Sequence, residues 1–291
     1  MSKSQSLSIS RATRYQNAAL EYYMGLTNSP YLHYGYWDSL PASADDLTPA
    51  QLRVAQQAYA DRLLSLIPES TQTILDVGCG IGGNAAYLLS RGFTVEGLAP
   101  DPFQQTHFLQ RTGGRAEFHL SRFEDFPTTK PYDLLLFSES SQYLATTDIA
   151  QKSAQLLHPG GYVLIADMFR KNAEYRQGIF SNCLVLSELE TALKQQGFQL
   201  IHVDDISTAI VPTIDICVHY FQTFGLTTLR YIGQLIWITL PPLYKLGQAI
   251  FRRWLKSPLV EAMGARDVFE QHLCYQIQLW QLPIASAPDS P

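Results

Sequence analysis

Thr73-Ile74-Leu75-Asp76-Val77-Gly78-Cys79-Gly80-Ile81-Gly82-Gly83 sets a carboxylate at the end of an aliphatic run and a cluster of glycines directly after it. Asn84-Ala85-Ala86-Tyr87-Leu88-Leu89 then opens a helix, so the stretch reads as strand, tight loop and helix N-terminus. Such a junction aims backbone N–H groups and the positive end of a helix dipole above the strand, and missing Cβ atoms admit a ligand close to the backbone. Cofactor binding is the chemistry this suits. Gly78, Gly80 and Gly83 fit the G-x-G-x-x-G dinucleotide spacing, whose acidic ribose partner lies about 20 residues on. Asp76 ahead of the first glycine, and Gly82 making D-x-G-x-G-x-G, pull away from it. The loop alone leaves the cofactor open.

Three further side chains are suited to proton transfer. Glu139 and Tyr143 follow the apolar run Pro131-Tyr132-Asp133-Leu134-Leu135-Leu136-Phe137, on the side where an open α/β sheet binds its ligands. His33 lies in Pro30-Tyr31-Leu32-His33-Tyr34-Gly35-Tyr36-Trp37, whose aromatic density suits a lid or pocket wall, or simple docking of an N-terminal helix. Each also has a plain structural use: a loop hydrogen bond for Glu139, packing for Tyr143, a core histidine for His33. Cys79, Cys183, Cys217 and Cys274 are too dispersed for a zinc site or a disulfide framework, and no metal site is expected.

The elements that must position these groups alternate. A helix is expected over Arg11–Leu26, another from Leu47-Thr48-Pro49 to about Ile67, and strands at Thr73–Val77, Phe93–Leu98, Ala116–Leu120, Pro131–Phe137, Tyr162–Asp167 and Phe198–Val203 with helices between them. His158-Pro159-Gly160-Gly161 reads as a turn into the fifth strand, and Gly197 closes the helix Leu186–Gln196. This alternation argues a doubly wound, mainly parallel α/β sheet. Ile210 to about Met263 breaks it with long apolar helical segments, and His272–Trp280 restores a period-two strand. The organisation expected is an N-terminal helical lid segment (1–70), an α/β core (71–208), a helical cap (209–268), a last core strand (269–284) and a disordered tail (285–291).

At 291 residues and 46% hydrophobic, the chain can bury a full core. A net charge of -5 disfavours a nucleic-acid partner, and Lys245, Arg252, Arg253 and Lys256 are the only clustered bases. The polar start Met1–Ser6 has no apolar signal region, and together with the cysteine pattern it implies a cytoplasmic chain. Tyr231–Leu243 is too short for a membrane span but long enough to lie on a membrane.

Taken in order, the glycine loop, Tyr132-Asp133 opening a buried strand, Leu157-His158-Pro159-Gly160-Gly161 before Leu164-Ile165-Ala166-Asp167, and a helix ending Gln196-Gly197-Phe198 resemble the class I S-adenosylmethionine-dependent methyltransferases. The resemblance covers about residues 15 to 205 and the last strand, and it implies a Rossmann-like seven-stranded sheet. Tyr22-Tyr23 followed by His33–Trp37 is similar to the small-molecule branch with sterol-, tocopherol- and cyclopropane-fatty-acid-type enzymes, in which the N-terminal segment closes over the donor. It implies that Gly78, Cys79, Gly80 and Gly82 hold the donor's methionine part, with Asp76 near its ammonium and Tyr23 and Ser138 also at the donor. Asp101 or Gln104 would hold the ribose, because the usual acid after the second strand is Ala99 here. Arg122 stands where the family has its adenine-binding aspartate, so Phe123 would cover adenine and Glu124 or Asp125 would supply the hydrogen bond.

The apolar cap points to a lipophilic acceptor such as a terpenoid, sterol, quinone or polyketide, methylated on carbon or oxygen; a homodimer or a membrane-surface contact are other uses of the same surface. The competing readings are N- or O-methylation of a small polar metabolite, which needs paired charges in the pocket, and a donor-binding assembly protein without turnover.

Overall fold

The structure is a computed structural model and describes residues 17, 20, 21, 23–25, 27–39, 47–127, 130–250 and 256–284. The expected leader, Tyr22 and Leu26 of the first helix, the loop Pro41–Asp46, Arg252, Arg253 and the tail 285–291 lie outside the described residues.

Helix α1 (Pro49–Ser65) starts at Pro49, whose missing N–H costs nothing in a first turn, and Thr48 and Gln51 cap it reciprocally. Next come β1 (Thr73–Val77), α2 (Gly83–Ser90), β2 (Thr94–Ala99), α3 (Pro102–Thr112), β3 (Glu117–Leu120) and β4 (Tyr132–Ser138). They are followed by α4 (Thr146–Leu156), β5 (Leu157–Arg170), α5 (Leu186–Gln195) and β6 (Gln199–Asp205). The strands form one seven-stranded sheet in the order β3-β2-β1-β4-β5-β7-β6. Only β7 (Leu273–Gln281) runs against its neighbours, pairing antiparallel with both β5 and β6. The doubly wound, mainly parallel sheet expected from the alternation is the one observed.

The apolar runs of β1 and β4 are buried on both faces, as central parallel strands require. Ile74, Leu134, Leu136 and Leu164 serve one core, with Tyr59, Phe108 and Tyr275. Leu75, Leu135, Phe137 and Ile165 serve the other, with Phe123, Leu189 and Trp280.

One local expectation is corrected. His158-Pro159-Gly160-Gly161 is not a turn ahead of the fifth strand but part of β5. Register on β4 jumps from Tyr132↔Leu157 to Leu134↔Tyr162, so the four residues bulge out of the ladder. Gly160 takes φ +88° there and donates its N–H to the Leu282 carbonyl at 2.7 Å.

The apolar interval between β6 and β7 is helical throughout its described residues. α6 (Ser207–Tyr220) buries Ile210, Val211, Ile214 and Ile216 although Pro212 sits inside it. It continues as a π-helical stretch, Phe221–Leu226, then α7 (Thr227–Thr239), α8 (Pro241–Ile250), α9 (Lys256–Met263) and α10 (Ala265–His272). No helix among the described residues is long and apolar enough to cross a membrane.

Candidate active site

The carboxyl ends of β1, β2 and β4 surround a cavity of about 740 Å³. It lies where the strand order reverses at β1, the switch point at which open α/β sheets bind ligands. Asp76, Gly78, Cys79, Gly80, Asp101, Gln104, Arg122, Phe123, Glu124, Ser138, Glu139 and Tyr143 all line it. Most of the residues chosen from the sequence are therefore brought together in one place.

Within the glycine loop the donors divide. Gly78 and Cys79 give their N–H groups to the Leu98 carbonyl, and Gly82 gives its own to Cys79, so these amides hold the turn. Among the described residues Gly80 and Ile81 make no such bond, and both border the cavity. Gly82, expected at the donor, is not among the residues that line the cavity. It sits at φ +82° because the chain must turn against α3, where a Cβ would come within 2.8 Å of the Phe108 ring. A Cβ on Gly83 would meet the Pro30 carbonyl oxygen at 2.3 Å. That glycine admits the N-terminal segment onto the start of α2.

Two buried carboxylates face the cavity with an oxygen to spare. Asp76 is 1% exposed, its Oδ2 has no partner among the described residues, and burial raises its pKa to about 7. Asp101 caps α3, accepting the Phe103 N–H at 3.0 Å through Oδ1, and its Oδ2 has no partner among the described residues. Glu96, three residues before Ala99 in β2, cannot stand in for the missing ribose acid, because Lys130, Tyr132 and His119 already bind it. Arg122 is paired with Glu124 at the cavity rim, and the Phe123 ring is 3% exposed, edge-on to Phe137 at 5.3 Å. Phe123 is thus largely a core residue with an edge on the cavity.

A second, apolar chamber of about 360 Å³ adjoins the first, and both are walled by Leu32 and His33. The expected lid is a pinned partition. Gln56 of α1, fully buried, donates to the His33 carbonyl at 2.6 Å and to the Tyr23 hydroxyl at 2.9 Å, while its Oε1 accepts from Ser29 at 2.6 Å. From the other side, the Thr213 hydroxyl of α6 accepts the Gly35 N–H at 3.0 Å and the Trp37 indole N–H at 2.9 Å. Tyr23, expected at the donor, lines this chamber and is not among the residues that line the donor cavity. Its position follows from the Gln56 bond, a contact across 33 residues that no local pattern announces.

His33 is 4% exposed and stacks on Tyr59 with ring centroids 4.1 Å apart. Its Nδ1 lies 2.8 Å from the Tyr34 carbonyl, which can only accept, so Nδ1 carries the proton and Nε2 keeps its lone pair. Burial lowers its pKa to about 4, and the ring is neutral in ordinary buffers.

Glu139 is the most constrained of the candidates. It follows β4 in a left-handed conformation, φ +60°, rare outside glycine and asparagine. Oε1 accepts the Tyr275 hydroxyl at 2.5 Å and the Tyr34 N–H at 3.4 Å. Burial, then the neighbouring Asp167, raise its pKa to about 8, and those two hydrogen bonds oppose the rise. Asp167 braces the next turn, accepting the Ser141 N–H at 2.9 Å and hydroxyl at 2.7 Å. Tyr143 is 63% exposed at the cavity mouth, a poor place to shield a proton transfer.

The donor expected from the sequence fits this cavity. The orphaned oxygen of Asp76 suits an ammonium, that of Asp101 suits a ribose hydroxyl, and the amides of Gly80 and Ile81 suit a carboxylate. Comparison with known proteins agrees. A family model described as a methyltransferase domain matches residues 52–203. An uncharacterised methyltransferase of Geobacillus kaustophilus is 30% identical over 171 residues, covering 57% of this chain and 74% of its own. The O-methyltransferase cnsE of Penicillium expansum is 29% identical over 227 residues, with 70% and 76% covered. The crystal structure of geranyl diphosphate C-methyltransferase from Streptomyces coelicolor, in complex with S-adenosyl-L-homocysteine among its ligands, shares the fold at a TM-score of 0.64. It is 15% identical, with 86% of this chain and 87% of that one covered. A donor-shaped cavity at the switch point and a family match over more than half the chain lead to one assignment: the chain belongs to the methyltransferase-domain family and is a class I S-adenosylmethionine-dependent methyltransferase.

Proposed function

We propose that the enzyme methylates an oxygen or carbon atom of a small lipophilic acceptor held in the apolar chamber beside the donor cavity. The observation that carries this reading is the shared wall. Leu32 and His33 border both spaces, so an acceptor in one lies next to a donor in the other. Ile179, Phe180, Ile214, Val218 and Phe221 line the chamber, and among the described residues no Asp, Glu, Lys or Arg does. A polar metabolite would need charged partners there. The names of two similar proteins bear on the atom methylated: one is an O-methyltransferase, the other a geranyl diphosphate C-methyltransferase.

S-adenosylmethionine supplies a methyl group already activated on a sulfonium, so little covalent chemistry is left to side chains. Asp76 and the Gly80 and Ile81 amides would hold the methionine end, and Asp101 with Gln104 would hold the ribose. Leu32 and His33, which border both spaces, would flank the line of transfer. Glu139 lies on the donor-cavity side of that wall, bonded to the Tyr34 N–H and steadied by Tyr275. Ionised, it would take the proton from the hydroxyl of an acceptor that reaches past the wall, or from the carbocation left after methyl addition to an alkene.

Purified enzyme incubated with methyl-labelled donor and a panel of terpenols, quinols and phenolic polyketides tests this. Label is expected in the organic extract of one or more apolar acceptors. Label transferred only to small amines or carboxylates would overturn the reading.

A further inference from the structure

Beyond the site, the helices between β6 and β7 present a surface that no other part of the described chain covers. No residue of the π-helical stretch Phe221–Leu226 or of α7 is buried. α7 and α8 close mainly on each other, Trp237 meeting Tyr244 edge-on at 5.5 Å. Exposed apolar side chains here are Ile238 at 73%, Tyr231 at 61% and Trp237 at 50% on α7, and Phe224 at 60% on the π-helical stretch. A soluble monomer seldom leaves so much contiguous apolar area in water.

The charges of the same stretch are of one sign. Between Asp215 and Glu261 the sequence has no acidic residue, yet it contains Arg230, Lys245, Arg252, Arg253 and Lys256. The chain as a whole carries -5, so this basic segment stands apart from an acidic remainder. A symmetric dimer through this face would set only like charges against one another. An anionic lipid surface satisfies both features, taking the apolar and aromatic side chains at the headgroup boundary and the basic ones among the phosphates. No helix among the described residues is long and apolar enough to cross a membrane, so the proposal places the hairpin on the bilayer surface.

We propose that the hairpin formed by α7 and α8 docks the enzyme on the surface of an anionic lipid bilayer. This docking is independent of the acceptor reading. Phe221, at the root of the hairpin, also lines the apolar chamber, so the docked face and the chamber share a residue.

The full chain is sedimented with vesicles of phosphatidylcholine alone and with vesicles in which about a third of the lipid is phosphatidylglycerol. Affinity for the anionic vesicles is expected to be about tenfold or more above that for neutral ones, and to fall in high salt. The double variant Trp237→Asp with Ile238→Asp loses binding, and Arg230→Ala with Lys245→Ala weakens it about tenfold or more. Both should titrate normally with S-adenosylhomocysteine, which shows that they are folded. Equal partitioning onto both vesicles, no binding, or binding unaffected by the aspartates in a folded variant overturns the proposal. So does a wild-type dimer that the aspartates dissociate, without vesicle binding, which assigns the face to a second copy.

Discussion

Tyr275 donates its hydroxyl to Glu139 Oε1 at 2.5 Å, joining the antiparallel last strand to the residue after β4 across 136 positions of sequence. The Tyr59 hydroxyl of α1 lies 2.7 Å from the same phenolic oxygen, so three distant elements meet at the Tyr275 hydroxyl. Glu139 has positive φ, a raised pKa and a place on the donor cavity. A group held so far from its relaxed state marks a working site more than a packing one.

Replacement Glu139→Gln keeps size and hydrogen-bonding capacity but removes the base. Methyl transfer should fall on the order of 10²–10⁴-fold while donor affinity stays within about threefold. Wild-type initial rates should rise with pH through about 8, as Glu139 ionises, and the glutamine variant should lack that limb. An unchanged pH profile in the variant would remove Glu139 from the mechanism.

Tyr275 acts through Glu139. Its hydroxyl favours the charged carboxylate, so Tyr275→Phe should move the rising limb to higher pH without altering the donor KM. The lost bond should lower stability by about 1–2 kcal/mol in a denaturant titration. A variant slower at every pH with an unmoved limb would make Tyr275 merely structural.

Asp76, Asp167 and Glu139 have folded pKa values raised to about 7, 6 and 8. The unfolded chain gives up these protons first, from about pH 4 upward, so the stability they contribute is complete below that pH and lost as pH rises through the folded values. Thermal unfolding of the free enzyme should therefore be higher near pH 5 than near pH 8.5. Asp76→Asn should narrow that gap while weakening donor binding by about ten- to a hundredfold, measured by calorimetry. Glu96 and Asp133, held below the usual carboxylate range by hydrogen bonds, work the opposite way in acid.

The partition should be sensitive to one methyl group. In Gly83→Ala the new Cβ would meet the Pro30 carbonyl, forcing the segment off α2. A stability loss of about 1–3 kcal/mol and a raised donor KM are expected. A Gly25→Ala control, with nothing within 4 Å, should leave both unchanged within error.

The sheet and the donor cavity were legible because their signals are local. Aliphatic runs alternate with amphipathic helices, Asp76 lies near the end of β1 with the glycine loop after it, and Asp101 and Gln104 come soon after β2. What the sequence hid depends on contacts between distant segments. Tyr23 looked like a donor residue beside the aromatic segment, but Gln56 draws it to the other chamber. Gly82 fitted the motif, yet its missing side chain serves Phe108 of the next helix. Thr213 and Tyr275 lie in elements read simply as cap and strand, and they complete the site only because the antiparallel last strand and α6 fold back over it. The bulge at Pro159-Gly160-Gly161 was hidden for a related reason: glycines suit a turn and a bulge alike, and only pairing with β4 decides between them.

Calorimetric titration with S-adenosylhomocysteine of wild type, Gly80→Arg and Val218→Trp tests the division into donor cavity and acceptor chamber most directly. Gly80 borders only the larger space and Val218 only the smaller. Saturable wild-type binding, abolished by Gly80→Arg and preserved within about twofold in Val218→Trp, with transfer to apolar acceptors lost in the latter, is the predicted result. A folded wild type that does not bind, or Gly80→Arg binding as well as wild type, would contradict the account.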